Sequence, residues 1–127
     1  MNKQVMHTIP MDKRIHTFLE VNKGYTKEQA VLEAKRCLSC KHHPCVGGCP
    51  VGIDIPGFIK KVAGEKFEEA YQIIRESSCL PAVCGRVCPQ ETQCEKVCVF
   101  SHRKDGIAIG HLERFVADYH MRHATED

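Results

Sequence analysis

Nine cysteines stand between Cys37 and Cys98, with none before or after, and this crowding constrains the chain more than any other feature of its sequence. Eight of them form two quartets. The first is Cys37-x2-Cys40-x4-Cys45-x3-Cys49, followed by Pro50; the second is Cys84-x3-Cys88-x5-Cys94-x3-Cys98, with Pro89 after its own second cysteine. A secreted disulfide scaffold fits poorly, because the count is odd and no apolar stretch behind the first residues reads as a secretion signal. Clustered thiols in a chain expected to be cytoplasmic point instead to metal. At 127 residues the chain is one domain long and buries a modest core, so a metal staple suits it.

Two metals compete. Four thiolates hold zinc well, and Cys37-x2-Cys40 alone would serve as a zinc knuckle. Zinc ribbons, however, separate their ligand pairs by a dozen or so residues, whereas here four thiols crowd one short run and a second run repeats the crowding. A tight run ending in Cys-Pro is similar to the bacterial C-x2-C-x2-C-x3-C-P pattern for a 4Fe–4S cluster, with a longer gap before Cys45. Two quartets then suggest two clusters, and a zinc-stabilised interaction module is the alternative. If the last cysteine of each run serves the other cluster, Cys37, Cys40, Cys45 and Cys98 form cluster one. Cys49, Cys88 and Cys94 form cluster two, with Cys84 as its fourth ligand on spacing alone. Cys79 is left over as a buried structural thiol.

The rest of the chain reads as helix. Thr26 and Gln29 make a capping box, and Ala30, Val31, Ala34 and Leu38 follow at helical spacing. Asp54 caps a second helix from Ile55, with Pro56 in its first turn and Gly64 breaking it. Residues 65–76 are amphipathic, with Phe67, Ala70, Tyr71 and Ile74 on one face. Residues 79–98, with Pro81, Gly85 and Pro89, read as short helical turns and loops. A last helix is predicted over Ile107–His120, carrying Leu112, Phe115, Val116 and Tyr119 as its stripe. No alternating β-branched run occurs, so the expected fold is all-α. Residues 1–24 read as an arm before a domain spanning 25–127. A formal charge of +2 argues against a nucleic-acid binder, and no apolar run is long enough to span a membrane.

Beside the cysteines, Lys35, Arg36, Lys41 and Arg86 could offset the negative charge of a thiolate-bound cluster, and His42 and His43 flank Cys40 as loop residues or spare ligands.

The run Glu33-Ala-Lys-Arg-Cys37-Leu-Ser-Cys40, with Pro44-Cys45, Gly48-Cys49-Pro50 and Ile53-Asp-Ile-Pro56-Gly-Phe58, resembles the N-terminal domain of the glutamate synthase small (beta) subunit family. That family's domain is shared with dihydropyrimidine dehydrogenase and bifurcating ferredoxin:NADP oxidoreductase. The resemblance continues through Cys84-Gly-Arg-Val-Cys88-Pro89, Cys94, Cys98 and Ile109-Gly110-His-Leu112-Glu113-Arg114-Phe115. It extends into the arm at Arg14, Phe18, Glu20 and Gly24-Tyr25. It implies an α-helical ferredoxin-like fold with two 4Fe–4S clusters, and it implies Glu113, not Cys84, as the fourth ligand of cluster two. It also implies an electron-transfer module of an NADPH-dependent oxidoreductase, not active alone, that serves a flavin partner and a glutamate synthase large subunit. No G-x-G-x-x-G turn occurs in these residues, so FAD and NAD(P)H are expected on a partner or another domain.

Overall fold

A computed structural model describes residues 2–102 and 105–124; Met1 of the arm and residues 125–127 of the expected domain lie outside them. Among the described residues there are seven α-helices, two 3₁₀ turns and no strand beyond one isolated bridge, Thr8 to Asn22. The all-α expectation is met.

Four helices enclose the core. In α2 (Lys27–Lys35) the Thr26 hydroxyl accepts from the Gln29 N–H while the Gln29 amide oxygen accepts from the Thr26 N–H, the full capping box. The Asp54 carboxylate accepts from the Gly57 N–H to start α4 (Ile55–Ala63). A tight turn, in which Glu65 rather than Gly64 takes a positive φ of 59°, leads into α5 (Phe67–Arg75). Helix α7 (Ile109–His123) packs on α2, α4 and α5. Ala30 and Ala34 of α2, Phe58, Ile59 and Val62 of α4, Ala70 and Ile74 of α5, and Leu112 and Val116 of α7 meet at the centre. Phe67 stands edge-on to Phe115 at 5.1 Å.

Two readings need correction at helix ends. Leu38 does not continue the α2 stripe: the helix stops at Lys35, and Leu38 is 63% exposed on the following loop. The last helix begins at Ile109, not Ile107, and runs on to His123. The Glu33 carboxylate captures the Ala108 N–H and the Glu95 carboxylate accepts from Gly110, so two carboxylates from elsewhere in the chain sit at the positive end of α7.

The remaining helices are short: α1 (Met11–Arg14), α3 (Pro44–Gly48) and α6 (Pro81–Val87). Helix α6 lies directly on α7. A Cβ on Gly85 would sit 2.7 Å from the Arg114 amide nitrogen, so the two backbones touch there. The arm is docked rather than loose. Tyr25 donates to the Gln4 carbonyl, the Gln4 N–H reaches Glu33, and Arg114 and Arg86 both grip Glu20.

The α6–α7 contact yields a test. In an open helix Gly85→Ala should stabilise by about 1 kcal/mol through helix propensity. Against a backbone nitrogen at this separation the overpacking cost of about 1–3 kcal/mol wins. Chemical unfolding of Gly85→Ala should therefore show a net loss; a gain would mean that the two helices do not meet.

Candidate metal centres

Helix α2 delivers the first thiol. Its end places Cys37, whose N–H bonds the Ala34 carbonyl, and the chain then reverses through Ser39 at φ 51° and His43 at φ 43°. That looping brings Cys40 and Cys45 back towards Cys37. Pro44 opens α3, which carries Cys45 and ends just before Cys49. A Cβ on Gly48 would lie 2.7 Å from the Val97 side chain and 3.0 Å from the Cys94 Cα, so the two cysteine runs are pressed together at this point.

One cavity is lined by Cys37, Cys40, Cys45 and Cys98. It is partly open to solvent, with room of about 30 Å³ for water-sized atoms, and its other walls are apolar: Ile55 and Ile59 of α4, Phe100, Ile107 and Ile109. Burial pushes the Cys37 thiol up, with Cys40 and Cys98 adding to the rise. Burial and the neighbouring Cys37 raise Cys45 to about 11.

The second group forms on the α6–α7 contact. Cys84 lies within α6 and Cys88 at its C-cap. Cys88 is raised to about 11, chiefly by burial, then by Cys84, Glu113 and Cys49. Cys94, buried, is raised to about 12 by burial, with Glu95, Cys49 and Glu113 contributing. Cys49, Cys84, Cys88, Cys94 and Glu113 thus share one neighbourhood, distinct from the cavity of the other four thiols. Glu113 is 7% exposed, and its Oε1 has no hydrogen-bond partner. Burial alone lifts its carboxyl to about 7. An unsatisfied buried carboxylate oxygen beside raised thiols is a donor set suited to a metal centre and costly without one.

Cys79 is exposed, which corrects the expectation of a buried thiol; it follows the end of α5 instead of packing beneath it. His42 and His43 are exposed loop residues. Arg86 is committed to Glu20 and Asp118, while Lys35 and Lys41 point to solvent. Arg36 is buried against Glu33. That pair was half visible in the sequence: an acid and a base three apart on one helix signal a contact, but nothing in the spacing signals its burial. All nine thiols are free. Among the described residues no three His, Cys, Asp or Glu side chains converge closely enough to hold a single metal ion.

Comparison with known proteins agrees with this donor set. The family model for dihydropyrimidine dehydrogenase domain II, 4Fe-4S cluster, matches residues 14–125. The chain belongs to this family. It is 38% identical over 107 residues to the NAD-dependent dihydropyrimidine dehydrogenase subunit PreT homolog of Salmonella typhi, covering 84% of this chain and 26% of that one. It is 36% identical over 109 residues to the glutamate synthase [NADPH] small chain of Escherichia coli K12, covering 86% and 23%. The small chain from Azospirillum brasilense is 34% identical over 110 residues, covering 86% and 23%. The chain therefore spans about a quarter of the length of these relatives. It is a 4Fe–4S domain of the kind found in these oxidoreductases, and no helix among its described residues is long and apolar enough to cross a membrane.

Burial of Glu113 fixes the sign of a pH effect in the metal-free chain. A carboxyl with a raised folded-state pKa favours folding while it is protonated, and that contribution is lost as pH rises from about 4.5 towards about 7. The stability of Glu113→Gln relative to wild type should therefore improve from pH 4.5 to about pH 7 and level off above it. Urea unfolding under chelator at several pH values reads this directly; a pH-independent difference would place the carboxylate in water.

Proposed function

We propose that this chain is an electron-transfer module carrying two 4Fe–4S clusters. Cys37, Cys40, Cys45 and Cys98 would hold the first; Cys49, Cys88, Cys94 and Glu113 would hold the second. The observation that carries the reading is the cavity walled by three thiols of the first run and by Cys98 from the end of the second, with Glu113 orphaned beside the other group. A 4Fe–4S cluster supplies reversible one-electron chemistry and no group transfer, so the chain's part is ligation, burial and electrostatics. Its raised thiols release their protons on ligation, the apolar walls exclude water from the first site, and α7 presents Glu113 to the second.

In this reading the electrons come from or go to an FAD- and NAD(P)H-binding domain or subunit, in a cytoplasmic oxidoreductase. A glutamate synthase large subunit is the partner suggested by relatives named as small chains. Exposed apolar side chains support a docked partner. The arm projects Met11, Ile15, Phe18 and Leu19 into solvent, and α6 exposes Leu80, Val83 and Val87. The Glu20–Arg86 pair, at 2.7 Å, ties the residue after Leu19 to the residue before Val87 and so links the two patches.

Anaerobic reconstitution with iron and sulfide tests the clusters. Two four-iron clusters per chain with broad visible absorbance are expected; a colourless protein with stoichiometric zinc would overturn the reading. Glu113→Ala should lose or alter one cluster spectroscopically, whereas Cys84→Ala should leave iron and spectra intact. The reverse pattern would make Cys84 the ligand.

Replacing Phe18 with Asp should leave cluster content unchanged and weaken capture of the flavoprotein partner by about 2 kcal/mol or more, as for a buried aromatic anchor. Co-purification with the flavoprotein from the native host measures this.

A further inference from the structure

Glu33 and Arg36 form an ion pair shut away from solvent, at 0% and 6% exposure. The carboxylate accepts from Arg36, from the Ala108 N–H at 3.0 Å and from the Gln4 N–H at 2.9 Å. The guanidinium donates to the Asp105 carbonyl at 2.7 Å and lies over the Phe100 ring, 5.7 Å from its centre. Arg36, Ala108 and Phe100 stand at the cavity of the first thiol group or one residue from it. Phe100 lines that cavity with Cys98; Ile107 and Ile109, on either side of Ala108, line it too; Cys37 follows Arg36 directly.

We propose that this buried pair sets the reduction potential of the cluster held by Cys37, Cys40, Cys45 and Cys98, with Arg36 stabilising its reduced form and Glu33 opposing that effect. The inference rests on the reading that these thiols hold a cluster. Reduction adds one electron to an already negative centre, so a nearby positive charge in a low-dielectric surrounding raises the potential and a negative charge lowers it. Lys35 and Lys41, though close in sequence, are exposed and screened by salt. Arg36 is neither, and it cannot give up its proton. A pair whose members oppose each other holds the potential between the two extremes that either charge alone would impose.

The test is an EPR-monitored redox titration of the reconstituted protein at pH 8, at low and high salt. Removing one member of a buried pair leaves the other uncompensated. Glu33→Gln should shift the potential of the first cluster upward, Arg36→Met should shift it downward, and the double variant should fall between them. Arg36→Lys should stay near wild type, and the shifts should persist at high salt. The potential of the second cluster should move less than the first in every variant. An unchanged potential in fully loaded Glu33→Gln, or shifts of the same sign in both single variants, would show a purely structural pair. If Arg36→Met fails to load, Glu33→Gln and Arg36→Lys still decide. A wild-type chain that takes up no cluster at all removes the underlying reading instead.

Discussion

The Glu33 carboxylate is fully buried and accepts hydrogen bonds from three places at once: the arm at Gln4, its own helix at Arg36, and the approach to α7 at Ala108. A carboxylate taken out of water is tolerated only when its lone pairs are occupied and its charge is paired, and here both conditions hold. Three segments are thereby fixed to one atom group. The consequence reaches both ends of the fold. Capture of the Ala108 N–H sets where α7 begins, and the register of α7 then decides that Leu112 and Val116 face the core while Glu113 faces the thiols. The arm, which looks dispensable on composition, is part of the same junction.

Away from that junction the chain is thinly held. Among the described residues, 37–54 and 88–106 contain one five-residue helix and two 3₁₀ turns, and what they add to the buried core is Ile53, Cys94 and Cys98. What they do contribute is thiols that burial pushes towards their neutral form. A protein gains nothing by raising a thiol to about 12 and stranding a carboxylate oxygen unless something else makes the site favourable. Ligation does so: the free energy of metal binding that exists only in the folded state is folding free energy. The domain reads as a helical frame of α2, α4, α5 and α7 with metal-dependent loops laid against it.

Much of this was legible from residues alone, for reasons that differ by element. The Thr26–Gln29 capping box and the Asp54 cap are local interactions, so sequence spacing states them fully. The stripe of α5 is a simple 3.6-residue period, and its core side is where that period puts it. The proposed partition of thiols into two groups rests on their spacing together with the family resemblance. The misses share a cause. Leu38 fits a helical period, but the helix ends before it because the chain must turn to bring Cys40 back. Cys79 has no periodic context, so its exposure depended on how α5 terminates. The start of α7 was misplaced because the acceptor of the Ala108 N–H lies 75 residues away. Local rules cannot see a partner at that distance.

The position of α7 also imposes a ruler on the molecule. Ile109 borders the first cavity and Glu113, four residues later, belongs to the second group. Along a helix axis that is about 6 Å, roughly one turn. In the proposed two-cluster reading, the spacing between the centres is therefore tied to one turn of α7. A single residue inserted between those two positions would rotate everything downstream by about 100°, swinging the carboxylate off its thiols while leaving the first cavity untouched. Tolerance to change is low across this one turn of helix, as it is at the thiols and at Gly48 in the loops.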